Sequence, residues 1–90
     1  MANLKEIEKL LKALGNKRRL EIIRLLKNKG EHSVGLIAEG IRLSLRSTSR
    51  HLAILKSADI IDKEQRSIEV WYSLLPNQQS LTKAILNSLD

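Results

Sequence analysis

Two short helical stretches meeting across about four residues constrain this chain more than any other feature of its sequence. Ser33 is placed to cap a helix over Val34 to about Gly40, with Leu36, Ile37 and Ala38 as its apolar residues. Gly40-Ile41-Arg42-Leu43 reads as a turn, and Ser44 caps a further helix through about Ser57. That pairing is a helix-turn-helix. The next stretch narrows the choice again. Ala58-Asp59 break the helical pattern. Ile60-Ile61-Asp62-Lys63-Glu64 and Ile68-Glu69-Val70-Trp71-Tyr72-Ser73-Leu74 are rich in β-branched and aromatic residues, and Gln65-Arg66-Ser67 between them reads as a turn. A β-hairpin directly after a helix-turn-helix is a wing.

The flanking segments supply the remaining helices. From about Asn3 to Leu14, Leu4, Ile7, Leu10, Leu11 and Leu14 recur at helical spacing, with Lys5, Glu8, Lys9 and Lys12 on the other side. Asn3 is a cap and Gly15 a stop. A second helix, Lys17 to Lys29, has Asn16 as its cap, Leu20, Ile23, Leu26 and Ile22 or Leu25 as its apolar face, and Gly30 at its end. Pro76 suits the first position of a last helix running to Asp90, in which Leu81, Ile85 and Leu89 align every four residues. The expected fold is mainly α (α+β): one winged helix-turn-helix domain over residues 1–90, with about five helices and one β-hairpin. Leu4, Ile7, Leu11 and Leu14 at one end, and Leu81, Ile85 and Leu89 at the other, exceed what so small a core buries. They are read as the two-fold interface of a homodimer.

Composition excludes several functions. There is no Cys, hence no disulfide framework, thiolate metal site or cysteine nucleophile. His32 and His51 are the only histidines and lie in different elements, whereas zinc needs three or four ligands in one compact site. No metal or other cofactor is expected. Ser33, Ser44, Ser47 and Ser49 stand in no nucleophile elbow, no acid near His51 would orient it, and no Gly-rich phosphate loop occurs. No catalytic residues, and so no enzyme, are expected. No apolar run approaches the ~20 residues of a membrane span. The opening Met1-Ala2-Asn3-Leu4-Lys5-Glu6 does not start a signal peptide. A cytoplasmic protein with no membrane partner is expected. The formal net charge of +6 suggests a polyanionic partner, with a merely solvated basic surface as the plain alternative.

The fourth helix concentrates that charge. At about 100° per residue, Leu45, Thr48, Leu52 and Leu55 fall within a sector of about 80°, the expected buried stripe. Arg46, Arg50, Ala53 and Ser57 lie opposite, Ser47 and Ile54 beside them, and Ser49 and His51 on the flanks. Residues 42–57 contain no acid, as suits a surface facing phosphates. Arg reads guanine edges bidentately, and Ser or Thr reaches bases or phosphates. Ile54 fits this face poorly: it packs on the wing, packs on a neighbouring helix, or meets thymine methyls. Lys17-Arg18-Arg19 is either a phosphate clamp or a solvated helix start; three cations there oppose the helix dipole.

Three stretches resemble the ArsR/SmtB family of small dimeric winged-helix repressors. Leu14-Gly15-Asn16-Lys17-Arg18-Arg19-Leu20-Glu21-Ile22-Ile23-Arg24-Leu25-Leu26 resembles its opening segment, Leu43 through Ala58 its recognition helix around Ser49-Arg50-His51-Leu52, and Val70-Trp71-Tyr72-Ser73-Leu74 its returning wing strand. The resemblance implies major-groove contacts from Arg46, Ser47, Ser49, Arg50 and His51, and wing contacts to the minor groove or its phosphates from Lys63 and Arg66. It also implies a dimer built from the first and last helices. The chain departs from the family's metal sensors. Ser33 and Gly35 stand where those place thiolates, and the last helix has no His. Ser67 and Asp59 replace common glycines; Asp tolerates a left-handed backbone better than most residues. The expected function is therefore a sequence-specific double-stranded DNA-binding regulator, a repressor by family analogy. The rival is a winged-helix module that binds a protein partner.

Overall fold

The computed structural model describes residues 3–90. The elements run α1 (Leu4–Leu14), α2 (Lys17–Lys29), β1 (His32–Ser33), α3 (Val34–Ile41), α4 (Leu45–Ser57), β2 (Ile61–Arg66), β3 (Glu69–Leu74) and α5 (Ser80–Ser88). The first four helices begin at the caps read from sequence. Asn3 Oδ1 accepts from the Glu6 amide at 2.9 Å and Asn16 Oδ1 from the Arg19 amide at 3.1 Å. Ser33 Oγ accepts from Leu36 at 3.2 Å and Ser44 Oγ from Ser47 at 3.1 Å. Each satisfies one of the amides that a helix start leaves without an intrahelical partner.

The corners use the left-handed backbone region. Arg42 ends α3 at φ 55°, Asp59 follows α4 at φ 57°, and Ser67 turns the hairpin at φ 58°. Asp59 thus does what its side chain suggests, and Ser67 does the same without being glycine. The hairpin turn is shorter than expected. Gln65 and Arg66 belong to β2, paired with Val70 and Glu69, and the chain reverses at Ser67-Ile68. The β-region preference of Gln and Arg is weak, so pattern alone places them in the loop.

Two connections differ from the expected pattern. The two-residue strand β1 is too short to show any period; it pairs antiparallel with β3, His32 opposite Tyr72 and Ser33 opposite Trp71. The sheet order is β1-β3-β2. The last helix starts at Ser80, not at Pro76. Ahead of it, Gln78 Nε2 donates to the carbonyls of Ile60 (2.8 Å) and Leu75 (2.7 Å), holding the segment against the strand entry before a helix begins.

The core is aliphatic, as a Phe-free chain requires. Leu10, Ala13 and Leu14 of α1, Ile22, Ile23 and Leu26 of α2, and Ile37 and Ile41 of α3 meet Leu52 and Leu55 of α4 with Ile60 and Ile61. The buried stripe of α4 begins at Thr48. Leu45, expected in it, is 56% exposed, because the first turn of α4 projects past the core. Leu14, assigned from sequence to the dimer face, is buried in its own chain, whereas Leu4 and Leu11 are 85% and 51% exposed. Leu81, Ile85 and Leu89 pack partly against the core. Lys27 Nζ secures that end by donating to the carbonyls of Leu86 (2.6 Å) and Leu89 (2.7 Å). No helix among the described residues is long and apolar enough to cross a membrane.

Candidate nucleic-acid interface

α3 and the turn through Arg42 present α4 with one side on the core and the other outward. Thr48, Leu52 and Leu55 are fully buried. Arg46, Ser49, Arg50 and Ala53 are exposed, Ser47 and His51 half-buried. Among the described residues neither Arg46 nor Arg50 takes part in an ion pair. Two uncommitted guanidinium groups one helical turn apart, on a face without carboxylates, are available to an external anion.

The wing divides the two cations expected on it. Side chains alternate between faces of a strand, and Lys63 and Arg66 are three residues apart. Lys63 lies opposite Tyr72 and lines a shallow groove with Ser49, Ala53, Lys56 and Tyr72, so it shares a surface with α4. Arg66 points the other way. Its Nη1 and Nη2 donate to Glu31 Oε1 and Oε2, both at 2.9 Å, and its Nε donates to Glu64 Oε1 at 2.6 Å. The guanidinium also lies 5.3 Å from the centre of the Trp71 ring. These carboxylates raise the Arg66 pKa, and the hydrogen bond from Arg66 lowers that of Glu31. The pleat parity is readable in the sequence; the acceptor Glu31, 35 residues away, is not.

The basic run at the start of α2 is neither a phosphate clamp nor a solvated end where Arg18 and Arg19 are concerned. Arg18 Nη1 donates to the Ile41 carbonyl (2.7 Å) at the end of α3 and to Glu21 Oε1 (3.3 Å). Arg19 Nε and Nη2 donate to the carbonyls of Ala13 (2.6 Å) and Lys12 (2.9 Å) at the end of α1. Cations that oppose their own helix dipole complement the carbonyl ends of two others. Arg19 Nη1 also lies 3.1 Å from His51 Nδ1. Burial first, then the charges of Arg19, Arg18 and Arg50, push the His51 imidazole below its ordinary value. Ile54, 40% exposed, lines a groove between α1 and α4 with Lys9, Lys12 and Ala13, which places it by a neighbouring helix rather than on the wing.

A helix pair joined by a tight left-handed corner, its second helix carrying an outward basic face and followed by an antiparallel hairpin, defines a winged helix-turn-helix transcriptional regulator. Residues 16–63 match the arsR family of bacterial regulatory proteins, and the chain belongs to that family. It is 33% identical over 94 residues to the transcriptional activator HlyU of Vibrio cholerae serotype O1, covering 97% of this chain and 86% of the relative. The transcriptional repressor SdpR of Bacillus subtilis (strain 168) is 38% identical over 65 residues, covering 72% of this chain and 71% of the relative. Among solved structures, HlyU from Vibrio cholerae N16961 superposes with a TM-score of 0.79 at 32% identity, over 94% of this chain and 88% of that one. The homodimeric winged helix-turn-helix DNA-binding domain Mb0332 of Mycobacterium bovis, in solution, gives 0.78 at 27% identity, over 96% and 73%.

Proposed function

We propose that this protein is a sequence-specific, homodimeric transcriptional repressor that lays α4 in the major groove of its operator and acts without catalysis or cofactor. The observation that carries the reading is the acid-free outward face of α4, with Arg46 and Arg50 exposed and unpaired among the described residues. Arg46 and Arg50 read base edges, and Ser47 and Ser49 approach bases or phosphates. Lys63, on the α4 side of the wing, meets the phosphate backbone. Arg66 is engaged by Glu31 and Glu64, so its role is to brace the hairpin. Residues 1–90 act as one DNA-binding domain whose terminal helices supply the dimer contact, in keeping with the homodimeric state of Mb0332. Relatives regulate in both directions, HlyU as an activator and SdpR as a repressor, so repression rests on economy: occupying an operator excludes polymerase with no additional surface.

The test is binding of variants to a selected duplex and to random duplex over a salt series. Arg50→Ala is expected to lose about 1–3 kcal/mol on the selected site and to flatten preference at one base position per half-site. Lys63→Ala is expected to weaken all duplexes alike and to lower the salt slope by about one. If both variants weaken both duplexes equally, α4 is not the reader. If neither matters, the basic face serves a protein partner instead.

A further inference from the structure

The contact between Arg19 and His51 has a chemical direction. A guanidinium has donors only, so with Nη1 at 3.1 Å the His51 Nδ1 must accept. An imidazole that accepts at Nδ1 is neutral and carries its proton on Nε2. The contact is also anchored. The same guanidinium grips the last turn of α1 through the Ala13 and Lys12 carbonyls, at 2.6 and 2.9 Å. The fork is rigid and planar, so fixing two of its nitrogens on α1 fixes the third against α4. Two positive groups near His51, Arg18 and Arg50, also disfavour a second proton on the ring.

We propose that Arg19 is a positioning residue for DNA recognition: it locks His51 as an Nε2–H donor on the flank of the reading helix. This rests on the proposed role of α4 in binding DNA. A donor-only edge meets guanine N7 and O6, adenine N7 or thymine O4, and it finds no acceptor on the amino group of cytosine. Arg19 thereby shapes sequence preference from a position on α2, beside the flank of the reader. It also ties the reading helix to α1, the helix that bears the exposed Leu4 and Leu11.

The chain offers an internal control. His32 Nδ1 lies 2.9 Å from the Gly30 carbonyl, an acceptor only, so neutral His32 carries its proton on Nδ1. The two histidines of the protein therefore hold opposite tautomers. Long-range proton–nitrogen correlation spectra of uniformly labelled protein near pH 8 resolve them without any substitution. The expected result is one Nε2–H ring and one Nδ1–H ring, assigned with His32→Gln. Arg19→Met, which keeps the aliphatic stem and removes the donors, is expected to release His51 into a tautomer mixture. It should also cut affinity for the selected duplex about tenfold, a change of about 1.4 kcal/mol, while leaving the salt slope and random-duplex affinity unchanged. Equal weakening of selected and random duplex would instead place His51 on a phosphate and overturn the role in sequence preference. An Nδ1–H or doubly protonated His51 in the parent protein overturns the proposal, and so does an Arg19→Met protein that retains both tautomer and sequence preference. A parent protein that binds no duplex overturns the DNA reading on which this one rests; an intact Nε2–H His51 in the spectra then shows that the failure lies with that reading and not with the Arg19–His51 contact.

Discussion

His51 shows how a single side chain can be assigned correctly to a helix while its chemistry stays hidden. Its position on the flank of α4 follows from a 3.6-residue period; its partner, 32 residues earlier, does not. The environment of that ring makes a pH prediction. Burial, followed by the charges of Arg19, Arg18 and Arg50, holds the imidazole below its ordinary pKa of about 6.5. The unfolded chain then binds the proton more readily than the folded one, so stability falls as pH drops through the unfolded value and goes on falling until the folded ring itself titrates. Urea midpoints are expected to be lower at about pH 5.5 than at about pH 7.5, and His51→Gln should shrink that difference. Glu31 works in the same direction but lower on the scale: the hydrogen bond from Arg66 depresses its pKa, and what that bond contributes is lost as pH falls through the depressed value. A pH difference that survives His51→Gln intact would assign the effect to carboxylates alone.

At the scale of elements, the wing behaves as a braced hairpin. Glu31, just ahead of β1, reaches Arg66 at the end of β2, across the intervening strand β3. Because these groups are exposed, the brace is expected to act on wing order more than on global stability. Arg66→Ala should speed amide hydrogen exchange in β2 and β3 and weaken the selected duplex with no fall in salt slope, in contrast to Lys63→Ala. If Arg66→Ala instead lowers the slope by about one, Arg66 leaves Glu31 for a phosphate when DNA arrives. The elements differ in how far their sequence defines them. The first four helices are bounded by local chemistry, an Asn or Ser cap at each start, and their limits can be read from adjacent residues. The strand β1 exists only because Tyr72 and Trp71 lie beside it. The start of α5 is set by Gln78 reaching the Ile60 carbonyl, 18 residues back, which overrides the preference of Pro76 for a first helical turn. Likewise, the outward basic face of α4 is legible from its periodicity and its lack of acids. The engagement of Arg18, Arg19 and Arg66 is legible only for the local acceptors Glu21 and Glu64; Ile41, His51 and Glu31 are brought near by folding.

The whole molecule leaves one face of α1 unsatisfied. The apolar arc of α1 spans about half the helix; Leu10, Ala13 and Leu14 use part of it in the core, and Leu4 and Leu11 stay 85% and 51% exposed with Ile7 half-buried beside them. A second copy of the chain is the simplest cover, because a two-fold axis sets this face against itself and presents two α4 helices to one side of a duplex. Each Leu fully buried there contributes roughly 1.5–3 kcal/mol, and substitution in one gene removes it from both protomers. Leu4→Glu combined with Leu11→Glu is therefore expected to yield a monomer at micromolar concentration by sedimentation equilibrium. Its helical circular dichroism should be retained, since neither side chain supports the core of its own chain. DNA binding should fall further than the loss at any one half-site, because the linked second half-site no longer gains from effective concentration. A double variant that stays dimeric would move the interface off α1, towards Leu81 and Ile85 of α5. A parent chain that is monomeric at the same concentration would end the two-fold reading altogether, and with it the expectation of half-sites spaced by about one turn of the duplex.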